Sequence, residues 1–357
     1  MTTTTGSNNV HAAGAARANN AVASATPGAS SSRGLSDRRA MLDRRGMLGV
    51  LGGSAAVAAM GSSAVAAAAH PERKRSLRIA HMTDTHVQPE HSADQGVAAC
   101  LNHASDLKDK PSLIITGGDT IMDSFEADEA RTKLQWEIWT KLVKNEASVP
   151  VKSCVGNHDI WGWNKSKSKT TGKEAAWGKK WVCDVFGVDK PYHSFAQSGW
   201  HFIILDSTQP DGDGYLAYLD EPQFDWLAGE LGRIDRKTNV LVVSHIPIFS
   251  VTPFAEFDKA EKDRAWNLGG STLHTDSRKI RHLFRKHPNV RACVSGHIHL
   301  VDACEYEGVK YFCNGAVSGA WWQGAHHQCE EGYALLDLYD DGTVERQYVT
   351  YGWKARA

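Results

Sequence analysis

Past residue 75 the chain settles into a rhythm of short apolar runs and amphipathic stretches. SLRIAHM (residues 76–82), SLIIT (112–116), VPVKSCV (149–155), HFIIL (201–205), NVLVVS (239–244) and VRACVS (290–295) are of strand length and rich in Ile, Val and Leu. Runs that are apolar throughout predict strands covered on both faces. Between them, residues 92–109, 124–146, 221–234 and 276–287 place apolar side chains at helical spacing. After residue 300 the pattern becomes short runs divided by turn signals: VDACEYEGVKYFCN, AVSGAWW, YALLDLYDDG and TVERQYVTY. This predicts a β-meander and a second sheet. Alternating strands and helices followed by more strands predict an α/β layer structure, two packed mixed sheets flanked by helices in a βαβα sandwich. No internal repeat and no interdomain linker interrupts it, so residues 72–357 read as one domain, with a Trp- and Lys-rich insertion at 160–190.

The first seventy residues have another character. Residues 1–36 are rich in Ala, Ser, Thr, Asn and Gly, too poor in large apolar side chains to offset the entropy of ordering. Arg44 and Arg45 then precede a mildly apolar run from Met47 to about Met60, followed by small-residue sites such as Ala64-Val65-Ala66. The order resembles a twin-arginine (Tat) export signal, with Arg38-Arg39 a weaker second pair. An uncleaved anchor is the alternative, but the run contains glycines and falls short of the ~20 strongly apolar residues that span a bilayer. Residues 1–70 are therefore expected to be a disordered leader and export signal. The Tat machinery is then a partner of the precursor, and the mature protein is periplasmic or extracellular.

Charge narrows the function. Residues 1–69 carry six arginines and two aspartates, a net of +4 against −1 for the whole chain, which leaves about −5 for the rest. That excludes a generally basic surface, and no stable nucleic-acid partner is expected. Seven cysteines stand at irregular spacing, which is not a disulfide framework. The seventeen histidines justify a search for metal ligands.

Polar residues collect where strands end. Asp84 and His86 follow IAHMT, Asp119 follows LIITGG, and Asn157, His158 and Asp159 follow VKSCVG. His245 follows VLVVS, and His297 and His299 follow RACVSG. Ligand sites in open α/β sheets form at the carboxyl ends of strands, so five strands bring Asp, Asn and His to one edge. Such a set of oxygen and imidazole donors suits metal ions, one or a pair sharing a ligand. A carboxylate can bridge two ions and an imidazole cannot, so a bridge would be one of the aspartates. Mixed N/O donors suit Fe, Mn, Zn or Co, and the lack of a cysteine among them argues against a closed structural zinc site.

Taken in order, DTH (84–86), GGD (117–119), GNHD (156–159), SH (244–245) and GHIH (296–299) resemble the motif set of the calcineurin-like metallophosphoesterases, over residues 78–321 or so. The resemblance implies Asp84, His86, Asp119 and His299 on a first metal and Asp119, Asn157, His245 and His297 on a second. It implies in-line attack of a metal-bridging hydroxide on a small phosphate mono- or diester. His158 is implied to lie over the phosphate as catalytic donor. Asp159 would hold its ring, or else act as a helix N-cap. Purple acid phosphatases have a tyrosine where this chain has Met122 and a glycine where it has His86, so a charge-transfer iron–tyrosine pair is not expected. The DTH form is closer to the cyclic-nucleotide phosphodiesterase branch. A non-catalytic metal- or phosphate-binding member of the fold is the alternative, though such a protein would be expected to have lost a ligand.

Candidates for reading the substrate are Trp161 and Trp163 in the insertion, and Trp321 and Trp322 in NGAVSGAWWQGAHH. Packing on the domain is the competing role for the insertion's tryptophans. His326 and His327 read as loop residues and His193 as structural. His274 reads as either a substrate contact or a helix cap.

Overall fold

The computed structural model describes residues 73–255 and 260–355, and the export segment and its arginines lie outside them. The strands are β1 (Arg75–Met82), β2 (Leu113–Thr116), β3 (Val151–Ser153), β4 (His193–Gln197), β5 (Trp200–Leu205), β6 (Thr208–Asp211) and β7 (Gly214–Ala217). They continue as β8 (Asn239–Ser244), β9 (Val290–Ser295), β10 (Cys304–Tyr306), β11 (Val309–Cys313), β12 (Gly332–Tyr339) and β13 (Val344–Thr350). The helices are α1 (Ala93–Asp106), α2 (Glu129–Glu146), α3 (Lys165–Ser168), α4 (Lys179–Phe186), α5 (Glu221–Arg233), α6 (Ala260–Asp263) and α7 (Ser277–Phe284).

Two sheets face each other. One runs β13-β12-β1-β2-β3 and the other β10-β11-β9-β8-β5-β4, with β6 and β7 as a separate hairpin. In each sheet the central strands are parallel: β1, β2 and β3 in one, β5, β8, β9 and β11 in the other. Strand alternation sorts the core. Leu77, Ile79, Leu113 and Ile115 of the first sheet meet Phe202, Ile204, Leu241, Val243 and Val294 of the second. The intervening Ala80, Met82 and Ile114 pack on α1 and α2, while Ile203, Val240 and Val242 pack on α5 and α7. The result is the expected sandwich, helices outside and two mixed sheets within.

Two expectations need correction. The long helix begins at Glu129, not at residue 124. Asp123 captures the backbone N–H of Phe125 at 2.8 Å, and Gln135 accepts from Asp123 N and donates to Asp123 O, so the stretch before the Asp128 N-cap is a loop. The late strands do not form one meander. β10 and β11 extend the second sheet, β12 and β13 the first, and AVSGAWW is a run of turns rather than a strand. The cysteines are all free thiols. Among the described residues no helix is long and apolar enough to cross a membrane.

Candidate metal centre

Because the central strands are parallel, their carboxyl ends share an edge. The loops after β1, β2 and β3 meet those after β8 and β9 there. The loops brace one another through backbone bonds: Asp84 N to Gly118 O, His86 N to Asp119 O, and Gly296 N to His245 O, each 3.0 Å. Asp84, His86, Asp119, His297 and His299 all adopt left-handed backbone conformations, with φ of 55°, 40°, 51°, 70° and 59°. Such conformations cost non-glycine residues about 1–3 kcal/mol each and persist where the surroundings over-determine them.

The donor atoms fall into overlapping sets: Asp84, His86 and His299; His86, Asp119 and His158; Asp119, His245 and His297. Asp119 Oδ2 lies 3.2 Å from His245 Nε2 and 3.8 Å from His86 Nε2, between the first set and the last. Asn157 Oδ1 joins the last at 3.2 Å from His245 Nε2. Each expected ligand is thus at this edge, and Asp119 is where a bridge would have to be.

Three rings are oriented from behind by carbonyls. His245 Nδ1 donates to Gly117 O (2.8 Å), His299 Nδ1 to Gly319 O (2.7 Å) and His297 Nε2 to Ser271 O (3.0 Å). A carbonyl can only accept, so these bonds set the tautomers and leave the opposite nitrogens as lone-pair donors. His86 Nε2 and His299 Nε2 face each other at 3.1 Å beside Asp84, and His86 Nδ1 is buried without a partner. Convergent lone pairs among carboxylates fit a pair of cations.

The electrostatics agree. Burial, then the charge of His158, push His86 down to about 3, and burial with His245 pushes His297 down to about 4, so both rings are neutral. Burial opposes protonation of His245, but the Asp119 carboxylate outweighs it and raises that ring to about 9. In the protein alone His245 therefore holds a proton where a bound cation would stand. Burial likewise lowers His158, yet Asp119 and Asp123 raise it to about 9.

Asp159 does not orient His158. Its carboxylate accepts from the backbone N–H of Thr120 (2.8 Å), Gly156 (2.9 Å) and Ile121 (3.3 Å), which ties the β2 and β3 loops together. Three amides pointing into one buried pocket capture it there. The carboxylate facing the His158 ring is Asp123, with Oδ1 3.7 Å from Nδ1. Nothing in the spacing marks Asp123 off from other loop aspartates. Ser271, which orients His297 through a carbonyl, leaves no trace in side-chain chemistry.

The tryptophans divide. Trp161 is buried, with its indole N–H on Ala127 O and its ring against Trp181; Trp163 is buried against Phe125. Neither offers a face to a substrate, because the insertion folds onto the domain as α3 and α4. Trp322 is wholly buried and donates to Thr85 O (3.1 Å) and His86 O (3.0 Å), so it pins the first ligand loop from beneath. It fits because Gly96 on α1 has no side chain; a Cβ there would lie 2.0 Å from the indole. Trp321 alone of the four is part-exposed, with its ring centroid 4.7 Å from that of His299 and 6.0 Å from that of His86. His326 packs on Trp321, outside the donor sets. His274 is buried, bonded to Ser244 Oγ (3.1 Å) and Asp276 (3.0 Å), and so is neither substrate contact nor cap. His193 opens β4, half-buried.

No curated protein matches the sequence significantly. Among solved structures, a dimetal phosphatase from Danio rerio is similar at 15% identity and a TM-score of 0.52, over 78% of this chain and 100% of that one. The anchor of the Plasmodium inner membrane complex is similar at 16% identity and a TM-score of 0.47, over 77% and 85%. At such identities the Danio rerio likeness speaks for the fold. The family model described as calcineurin-like phosphoesterase matches residues 77–301, from the first strand to just past His297 and His299. Fold, donor edge and family model coincide on the same residues: the chain belongs to the calcineurin-like phosphoesterases.

Proposed function

We propose that the protein is a metal-dependent phosphoester hydrolase that uses two ions to cleave phosphate mono- or diesters. The observation that carries this is Asp119 Oδ2, set between donor sets whose imidazole lone pairs are aimed by backbone carbonyls. Asp84, His86, Asp119 and His299 would hold one ion, and Asp119, Asn157, His245 and His297 the other. When bound, ions such as Fe, Mn, Zn or Co supply Lewis acidity at the phosphoryl oxygens and an acidified water.

His158 belongs to the chain's own chemistry. Its Nδ1 edge faces Asp123 and its charge is supported by Asp119, so Nε2 remains to protonate the leaving oxygen. In the protein loaded with each metal in turn, His158→Ala should keep both ions and lose about 10²–10⁴ in kcat on alkyl esters. Esters of 4-nitrophenol, whose leaving group needs no proton, should lose less. Equal losses would remove the proton-donor role. Absence of turnover on every ester with every metal would favour a non-catalytic phosphate binder instead. Within the family we infer, from the DTH form of residues 84–86, a resemblance to the cyclic-nucleotide phosphodiesterase branch.

For residues 1–70 we keep the reading of a twin-arginine signal and an exported protein. Replacing Arg44 and Arg45 together by lysine should leave the protein in the cytoplasm. Unchanged localisation by cell fractionation would discard it.

A further inference from the structure

We infer that the site selects phosphodiesters over monoesters, and diesters with an aromatic arm over purely alkyl ones, through Tyr215 and Trp321. This rests on the hydrolase reading above and narrows its substrate class.

Two aromatic rings flank the donor cluster, one by each set. Trp321 lies against His299 and His86 of the set that includes Asp84. Tyr215, on the β6–β7 hairpin, meets His297 of the other set edge-on at 6.4 Å between centroids and is backed by buried Phe125 at 5.8 Å. Both rings are part-exposed. A phosphoryl group held at the ions beside Asp119 would therefore have a ring on either hand, one for each substituent of a diester. A monoester has a single substituent and would leave one wall bare.

Charge gives the second, independent reason. A phosphate monoester carries about −1.5 to −2 at neutral pH, and a diester carries one charge. Proteins that hold the extra charge usually add arginine or lysine. Here several basic side chains of the insertion and α2 are engaged elsewhere: Lys167 with Glu126, Lys169 with Asp128, Arg131 with Glu90, and Lys179 with Asp206. Among the described residues no lysine or arginine forms an ion pair with Asp84, Asp119 or Asp123, and the nitrogens beside those carboxylates are those of imidazoles. Among the described residues no lysine or arginine is thus paired into the donor edge, where it could meet a monoester's second charge.

The reaction balances as hydrolysis. The oxygen of water ends on phosphorus, one ester P–O bond breaks, and the departing alcohol gains a proton by way of His158. The product is a monoester that retains one arm and ionises further, so it loses half of the aromatic fit and gains a charge the site does not match. Both changes favour its release.

The test uses one leaving group and three partners for it: phenyl 4-nitrophenyl phosphate, methyl 4-nitrophenyl phosphate and 4-nitrophenyl phosphate, with the Mn-loaded protein. We expect kcat/KM to fall in that order. The phenyl arm should lower KM at least about tenfold relative to methyl, a factor within reach of ring stacking. Tyr215→Leu and Trp321→Leu should each reduce the phenyl-to-methyl ratio at least about threefold while metal content stays at two ions. The inference is overturned if the monoester is cleaved as well as the phenyl diester, or if phenyl and methyl arms share one KM. It is also overturned if folded variants keep the wild-type ratio. Wild-type ratios decide the matter even where a variant fails to fold. Failure of all three esters would sink the hydrolase reading itself, which is a different result from cleavage of the monoester alone.

Discussion

Asp119→Asn should lower hydrolysis by at least about a thousandfold, the equivalent of roughly 4 kcal/mol in the barrier, and leave the protein with fewer than two bound ions. The substitution keeps shape and removes charge. One carboxylate oxygen, Oδ2, stands 3.2 Å from His245 Nε2 and 3.8 Å from His86 Nε2, while Oδ1 accepts the backbone N–H of His158 at 2.8 Å. An amide can serve one of these oxygen roles at a time, and its NH₂ would face ring nitrogens whose lone pairs are meant for cations. The same change removes the charge that raises His158 and His245, so both rings should titrate lower than in the wild type. Metal analysis and kcat/KM measured on one preparation settle it. A variant with two ions and a rate within tenfold of wild type would show that Asp119 is not the bridge.

Gly296→Ala should be nearly as damaging, although it adds a single methyl group. A Cβ at that position would lie 2.0 Å from Thr83 Oγ1 and 2.2 Å from Asp84 Oδ2. Neither neighbour is free to yield. Thr83 Oγ1 donates to Asp84 Oδ2 at 2.6 Å, and His297 N donates to both Asp84 oxygens at 3.0 and 3.1 Å. The methyl must displace Asp84, so we expect weaker binding of the first ion, a rate loss of about a hundredfold, and destabilisation of about 1–3 kcal/mol. Gly229→Ala on α5 is the control. Nothing lies within 4 Å of its added Cβ, so activity should hold and stability should rise by about 0.5–1 kcal/mol. Equal behaviour of the two variants, in melting temperature and metal content, would refute the packing argument.

The parts of this picture that are legible in the sequence are those written in apolar length and in side-chain type. SLIIT and NVLVVS read as strands because they are covered on both faces, by the opposite sheet and by helices. The ligands are visible because Asp, Asn and His stand where such runs stop. What stays hidden depends on backbone direction. GNHD offers two neighbours that could serve the His158 ring, and one-dimensional proximity favours Asp159. Three amides from two loops take that carboxylate, and Asp123, from a different strand's loop, faces the ring instead. Trp321 and Trp322 are equivalent as letters. Successive left-handed residues, with φ of 51° and 72°, send one ring to the histidines and the other into the core. The late hairpins are legible as strands, but periodicity carries no information on which sheet adopts them.

The donor edge draws on both halves of the sandwich: Asp84, Asp119 and Asn157 hang from β1, β2 and β3, whereas His245, His297 and His299 hang from β8 and β9. Anything coordinated across that seam is therefore a rivet as well as a reagent. Chemistry and architecture then cannot drift apart independently, since an insult that parts the two sheets disarms the site, and chelation that empties the site slackens the join.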